Sequence, residues 1–261
     1  MPIELDNEIA DGVRLVTAVI FAPKGGGKST LASAAAPLFS PRDKWVLVDP
    51  VGKLAQYLDQ PYYKMNGRDP KRCEKFFRSV MDKSESGSPC FLIIDEFDMF
   101  CTSRDYCCDA LYELVNLGRN SGVGILTVAR GTSDLPKNYL RNASILFIGQ
   151  CTEPNQLEYF ADMLADSTGR IDYVARIRAL PKYVFMVWIP ESGEGFKGYV
   201  TVEDGVIRDW SPKELKKDGE AATTSTTAPE SSPTEESPST NGTTADSTFG
   251  SGEAPRPPPK G

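Results

Sequence analysis

Apolar residues along this chain fall into two alternating patterns, and the alternation predicts the elements. Val16–Phe21 is an apolar run broken only by Thr17, and it ends at a glycine-rich loop. A helix is expected to open at Lys28 and to stop near Pro37. Trp45–Val48, Phe91–Ile94, Val123–Ala129, Ile145–Ile148 and Tyr183–Ile189 are further strand-sized apolar runs. Between them, Cys73, Phe76, Phe77, Val80 and Met81 recur at helical spacing, as do Cys107, Ala110, Leu111, Leu114 and Val115. Leu157, Phe160, Ala161 and Leu164 mark another helix. Tyr199–Val202 and Val206–Ile207 flank Glu203-Asp204-Gly205, the pattern of a hairpin. Short apolar strands alternating with amphipathic helices predict an α/β fold with a mainly parallel sheet covered on both faces and a short C-terminal hairpin.

The pattern fails abruptly near Lys217. Residues 218–261 are rich in Ser, Thr, Pro, Gly and Glu, with Phe249 as the one aromatic. So little apolar surface cannot offset the entropy of ordering a chain, so this segment reads as a disordered acidic tail beyond a domain of residues 1–217. A docking end at Arg256-Pro257-Pro258-Pro259-Lys260 is the functional alternative. The tail carries −5 of the net charge of −7, which leaves the folded part at −2. That balance argues against a broad basic face that coats nucleic acid non-specifically.

No apolar run reaches the length of a membrane span, and the first residues do not form a signal peptide, so a soluble intracellular protein is expected. The chain has 6 cysteines and 0 histidines. The cysteine spacings match no zinc pattern, and reduced thiols used as small hydrophobes are expected.

Ligands of parallel sheets bind at the carboxyl ends of strands, which directs attention to the polar residues there. The first group is Ala22-Pro23-Lys24-Gly25-Gly26-Gly27-Lys28-Ser29, followed by Thr30. Successive glycines let backbone N–H groups converge on phosphate oxygens, and the following helix adds its positive N-terminal end. In such a loop Lys28 reaches the β- and γ-phosphates and Ser29 holds Mg2+. The second group is Asp95-Glu96, after Phe91–Ile94. Asp95 suits a Walker-B role toward the metal and Glu96 suits activation of the attacking water, while capping of the next helix is the alternative. Asp49 follows a strand too, and either shapes the site or starts an Asp-Pro turn. Arg119 and Arg130 are both candidates for the arginine that stabilises the transition state. Lys137 and Arg141 are expected on a loop near the same end of the sheet, as DNA-phosphate contacts or as a solvated surface.

Taken together, four places resemble the HerA/FtsK branch of P-loop ATPases. They are Ala22–Ser29, Val46–Pro50, Ile93–Glu96, and Gly118–Ile125 continuing through Thr127–Arg130 into Ser133–Pro136. The resemblance covers residues 13–190 and implies a P-loop NTPase of the additional-strand type that binds ATP and Mg2+. Members act as rings, commonly hexamers, with ATP at subunit interfaces. One position departs from the family, which often places glutamine where Arg130 stands. Size makes the genome-packaging ATPases of double-stranded DNA viruses the nearest likeness. The resemblance therefore implies an ATP-driven DNA translocase with double-stranded DNA and a capsid or portal protein as partners. It would work in the host cytoplasm or on the virion. The alternatives are a phage assembly or export ATPase of the Zot type and a partition-type switch. The latter carries its extra lysine five residues before the loop lysine, whereas Lys24 stands four before Lys28.

Overall fold

The computed structural model describes residues 8–102, 105–132, 135–164, 172–190 and 195–211. All of them belong to the first of two units, Met1–Glu214, and the acidic tail lies outside the described residues. In chain order the elements begin with a small antiparallel hairpin, β1 (Ile9–Ala10) and β2 (Val13–Arg14). There follow β3 (Thr17–Phe21), α1 (Lys28–Phe39), β4 (Trp45–Val48), α2 (Lys53–Leu58), α3 (Pro70–Glu85) and β5 (Cys90–Ile94). The chain continues through α4 (Asp109–Leu117), β6 (Val123–Ala129), α5 (Lys137–Arg141), β7 (Ile145–Gly149) and α6 (Pro154–Met163). It closes with α7 (Tyr173–Ala179), β8 (Val184–Trp188), β9 (Phe196–Glu203) and β10 (Val206–Trp210).

Eight strands form one sheet in the order β10-β9-β8-β7-β3-β6-β5-β4. The five from β7 to β4 are parallel, and β8, β9 and β10 each run antiparallel to their neighbour. β6 therefore separates the strand that feeds the glycine loop, β3, from the strand that ends at the acidic pair, β5. That is the additional-strand arrangement. The reversal at β8 precedes the hairpin by one strand. It brings the start of β8 to the same end of the sheet as the carboxyl ends of β3 and β7.

Strand alternation explains why the central strands are almost wholly apolar. In β5, Leu92 and Ile94 join the core that holds Phe21, Phe77, Phe97 and Tyr139, while Phe91 and Ile93 join the opposite core with Leu31, Phe39 and Phe147. Two faces are buried, so neither side of the strand is polar.

Two expectations are corrected. α1 does not stop near Pro37 but continues to Phe39. A proline inside a helix costs about 3 kcal/mol, yet continuing the turn buries Phe39, which stacks on Phe91 with ring centroids 5.8 Å apart. Residues 137–141 are not a loop but α5. Tyr139 and Leu140 are buried. The Tyr139 hydroxyl pairs with Thr127 Oγ1 in β6, and its ring packs on Phe97 at 4.7 Å. Burial of this tyrosine on β6 and on the 3-10 turn Phe97–Phe100 holds the segment in place.

Candidate active site

The glycine loop joins the carboxyl end of β3 to α1. Gly27, the residue before the helix, has φ 89° and supplies no side-chain cap. A Cβ there would lie 2.6 Å from Tyr183 Cδ1, and one on Gly26 would lie 2.9 Å from Ala22 Cβ. These glycines permit a tight loop and leave the N–H groups at the start of α1 for an outside acceptor. No acidic residue stands in the first helical turn to compete for them. Lys28 Nζ donates to the Pro23 carbonyl at 3.0 Å, which folds the lysine back over its own loop. Burial holds its pKa below the ordinary value, and the nearby Glu96 and Asp95 carboxylates oppose that shift.

Across the cleft, Asp95 and Glu96 end β5. Asp95 is buried, and its N–H donates to the Val48 carbonyl at 2.9 Å. Burial, reinforced by Glu96 and Asp49, pushes its carboxyl up to about 7. An acid so crowded by negative neighbours suits a cation beside it. Glu96 has a left-handed backbone, φ 49°, and makes no side-chain cap to the following 3-10 turn. Its carboxylate instead pairs with Arg130 Nε. Burial raises the Glu96 carboxyl and the Arg130 guanidinium pulls it back down. The Arg130 N–H donates to Asp98 Oδ1 at 3.3 Å, which fixes the end of β6 to the turn after Glu96.

A cleft of 490 Å³ gathers Lys24, Gly25, Gly27, Lys28, Ser29, Thr30, Asp95, Glu96 and Arg130. Ala22 is buried beneath the loop, and Pro23 lines a smaller recess behind it. Val51, Lys53 and Tyr183 complete the cleft and were not singled out from the sequence. Lys53 was masked by the turn ahead of it, and Tyr183 enters only because β8 runs antiparallel.

Arg119 does not line this cleft. It is exposed in the turn after α4, at the opposite end of β6 from Arg130. The seven residues of β6 separate the two arginines by about 20 Å. Arg141 is also far from the cleft, contrary to expectation. It lies three residues before Ser144, whose N–H bonds the Thr17 carbonyl at the start of β3. Arg141 shares a hollow with Glu158 and Asp162, a poor lining for phosphate.

Asp49 is explained by its turn. Its buried carboxylate accepts the N–H groups of Val51 at 2.9 Å, Gly52 at 2.6 Å and Ala55 at 3.0 Å, and so builds the start of α2. Asp49→Ala strands those donors and is expected to cost about 3 kcal/mol or more. In a domain of this size that is a fall in Tm of about 6–12 °C by differential scanning fluorimetry. A shift under about 2 °C would show that the carboxylate does not hold the turn.

An additional-strand sheet, an uncapped glycine loop and an acidic pair facing it define a P-loop nucleoside triphosphatase. The AAA family, "ATPase family associated with various cellular activities", matches residues 18–173, and the chain belongs to it. Among solved structures, the genome packaging NTPase B204 from Sulfolobus turreted icosahedral virus 2, in complex with AMPPCP, has a TM-score of 0.58 at 17% identity. That match covers 70% of this chain and 95% of the other. The complex of the same NTPase with AMP gives 0.58 at 15%, over 74% and 98%. ATPases 2 and 3 of Thermomonospora curvata EccC, bound to a signal sequence peptide, give 0.51 at 13%, over 75% and 37%. At these identities the likeness is one of fold. No curated protein sequence matches the chain significantly. The protein is thus an ATP-binding, ATP-hydrolysing enzyme of the P-loop type. Among the described residues no helix is long and apolar enough to cross a membrane.

Proposed function

We propose that this ATPase is a DNA translocase motor that packages double-stranded viral DNA, working as a homo-oligomeric ring, hexameric in the simplest case. The observation that carries the reading is the convergence of the loop, the acidic pair and Arg130 on one cleft of a fold shared with almost the whole length of a viral packaging NTPase. In this reading Lys28 and the loop N–H groups from Lys24 to Thr30, apart from that of Gly26, which donates to the Pro23 carbonyl, hold the triphosphate. Ser29 and Asp95 offer hard oxygen donors on the same cleft and would hold Mg2+, which when bound neutralises charge on the β- and γ-oxygens. Glu96 accepts the proton of the attacking water. Arg130 supplies positive charge within its own protomer, and Arg119, outside this cleft, serves a neighbouring protomer in the ring. Double-stranded DNA in the ring and a capsid or portal protein at its face are the partners, in the host cytoplasm or on the virion.

Steady-state ATPase with and without double-stranded DNA tests the cargo. Turnover is expected to rise with DNA, and the stimulation to fade as salt increases, because phosphate contacts release counterions. No stimulation at any salt would instead favour protein export, the second reading, which is supported by the fold shared with EccC.

A further inference from the structure

Five non-glycine residues among those described have a left-handed backbone: Asp11, Asp59, Glu96, Tyr183 and Asp204. Asp11 and Asp204 sit in hairpin turns and Asp59 caps α2, where the short polar side chain tolerates that geometry. The other two both line the ATP cleft. Glu96 is accounted for by its carboxylate. Tyr183 is not. A bulky residue at φ 70° is strained, and glycine or asparagine would make the same turn more easily. The residue is nevertheless 48% exposed, so core packing does not explain it either.

The turn holds the ring firmly against the loop. Thr201 Oγ1 donates to the Tyr183 carbonyl at 3.2 Å, and the Val184 N–H donates to the Pro181 carbonyl at 3.2 Å. The ring covers Gly27 so closely that any Cβ there would collide with it. Lys182 Nζ lies 4.9 Å from the ring centroid. Tyr183, Lys24 and Gly25 line both the phosphate cleft and the 120 Å³ recess on the far side of the loop, where Gln150 and Lys182 stand. Gly25, common to both, marks the edge across which the nucleoside end of a triphosphate in the cleft would reach that recess.

We infer that Tyr183 is the stacking platform for the base of the bound nucleotide, carried there by the antiparallel start of β8. This rests on the cleft being the ATP site, and it adds a base-binding residue outside the phosphate loop and the acidic pair. Base stacking on an aromatic ring is tolerant of ring type but not of its loss.

The test compares ATP with inorganic tripolyphosphate, which has the phosphates and no base, by calorimetric titration of the full chain with Mg2+. Tyr183→Gly relieves the backbone strain while removing the ring, so folding is preserved. It is expected to weaken ATP by about tenfold or more and to leave tripolyphosphate within about twofold. Tyr183→Phe and Tyr183→Trp are expected to keep ATP binding within about threefold of the parent. An equal loss of both ligands in Tyr183→Gly would make the ring a prop for the loop and overturn the inference, as would unchanged ATP affinity. Lys28→Ala separates the two levels of the argument. If it leaves both ligands bound as before, the phosphate site itself is misplaced, whatever Tyr183 does.

Discussion

Glu96→Gln is expected to stop ATP turnover and to leave ATP bound. Glutamine keeps the shape of the side chain and its place at the end of β5, but it cannot take a proton from water. Loss of a positioned general base lowers turnover by about 10²–10⁴-fold. Binding survives because Lys28, Ser29 and the glycine loop are untouched. One negative charge also leaves the cleft that receives the triphosphate, so affinity is expected to hold or to rise. Phosphate release under saturating ATP, alongside a binding titration, reads both quantities. Turnover within a few-fold of the parent would remove Glu96 from the chemistry.

Arg130→Ala is the second large effect, expected at about 10³-fold in turnover, the scale of an arginine that neutralises the transferring phosphoryl group. If the proposed ring forms, the position of Arg130 next to Glu96 makes a further prediction about mixed assemblies. Glu96 and Arg130 belong to one protomer, so mixing Glu96→Gln subunits with Arg130→Ala subunits restores nothing. Arg119 lies at the other end of β6, and a role for it requires a neighbour's site. Mixing Glu96→Gln with Arg119→Ala subunits is then expected to restore about a quarter of the sites, those pairing an intact glutamate with an intact arginine across an interface. Recovery in the first mixture rather than the second would reverse the assignment of the two arginines.

The parts of this protein most legible in its sequence are those in which one physical requirement dominates. β3, β5 and β6 are apolar but for Thr17 and Thr127, because both faces are covered. Ala22–Ser29 and Asp95-Glu96 are recognisable because a loop that wraps on its own backbone N–H groups and an acidic pair at a strand end constrain residue type as well as spacing. What stayed hidden depends on tertiary neighbours. Pro37 suggests a helix end until Phe39 is seen stacked on Phe91. Residues 137–141 look like a polar loop until Tyr139 is placed under β6. Asp49 was balanced between two roles, and only its three N–H partners decide between them. Arg119 and Arg130 are equivalent in a linear reading, since the chain gives their separation in residues and not which end of the sheet each occupies. Tyr183 carried no signal because its entry into the cleft follows from the direction of β8.

Tyr139 has one further consequence. Its ring packs on Phe97, the residue after Glu96, and its hydroxyl is tied to Thr127, three residues before Arg130. Protein interiors are close-packed and yield little, so the segments that carry Glu96 and Arg130 rest against the same incompressible wedge. Neither can travel far from the other unless α5 goes with them. The smallest unit that can shift at this site is therefore a block made of a strand end, a turn and a short helix.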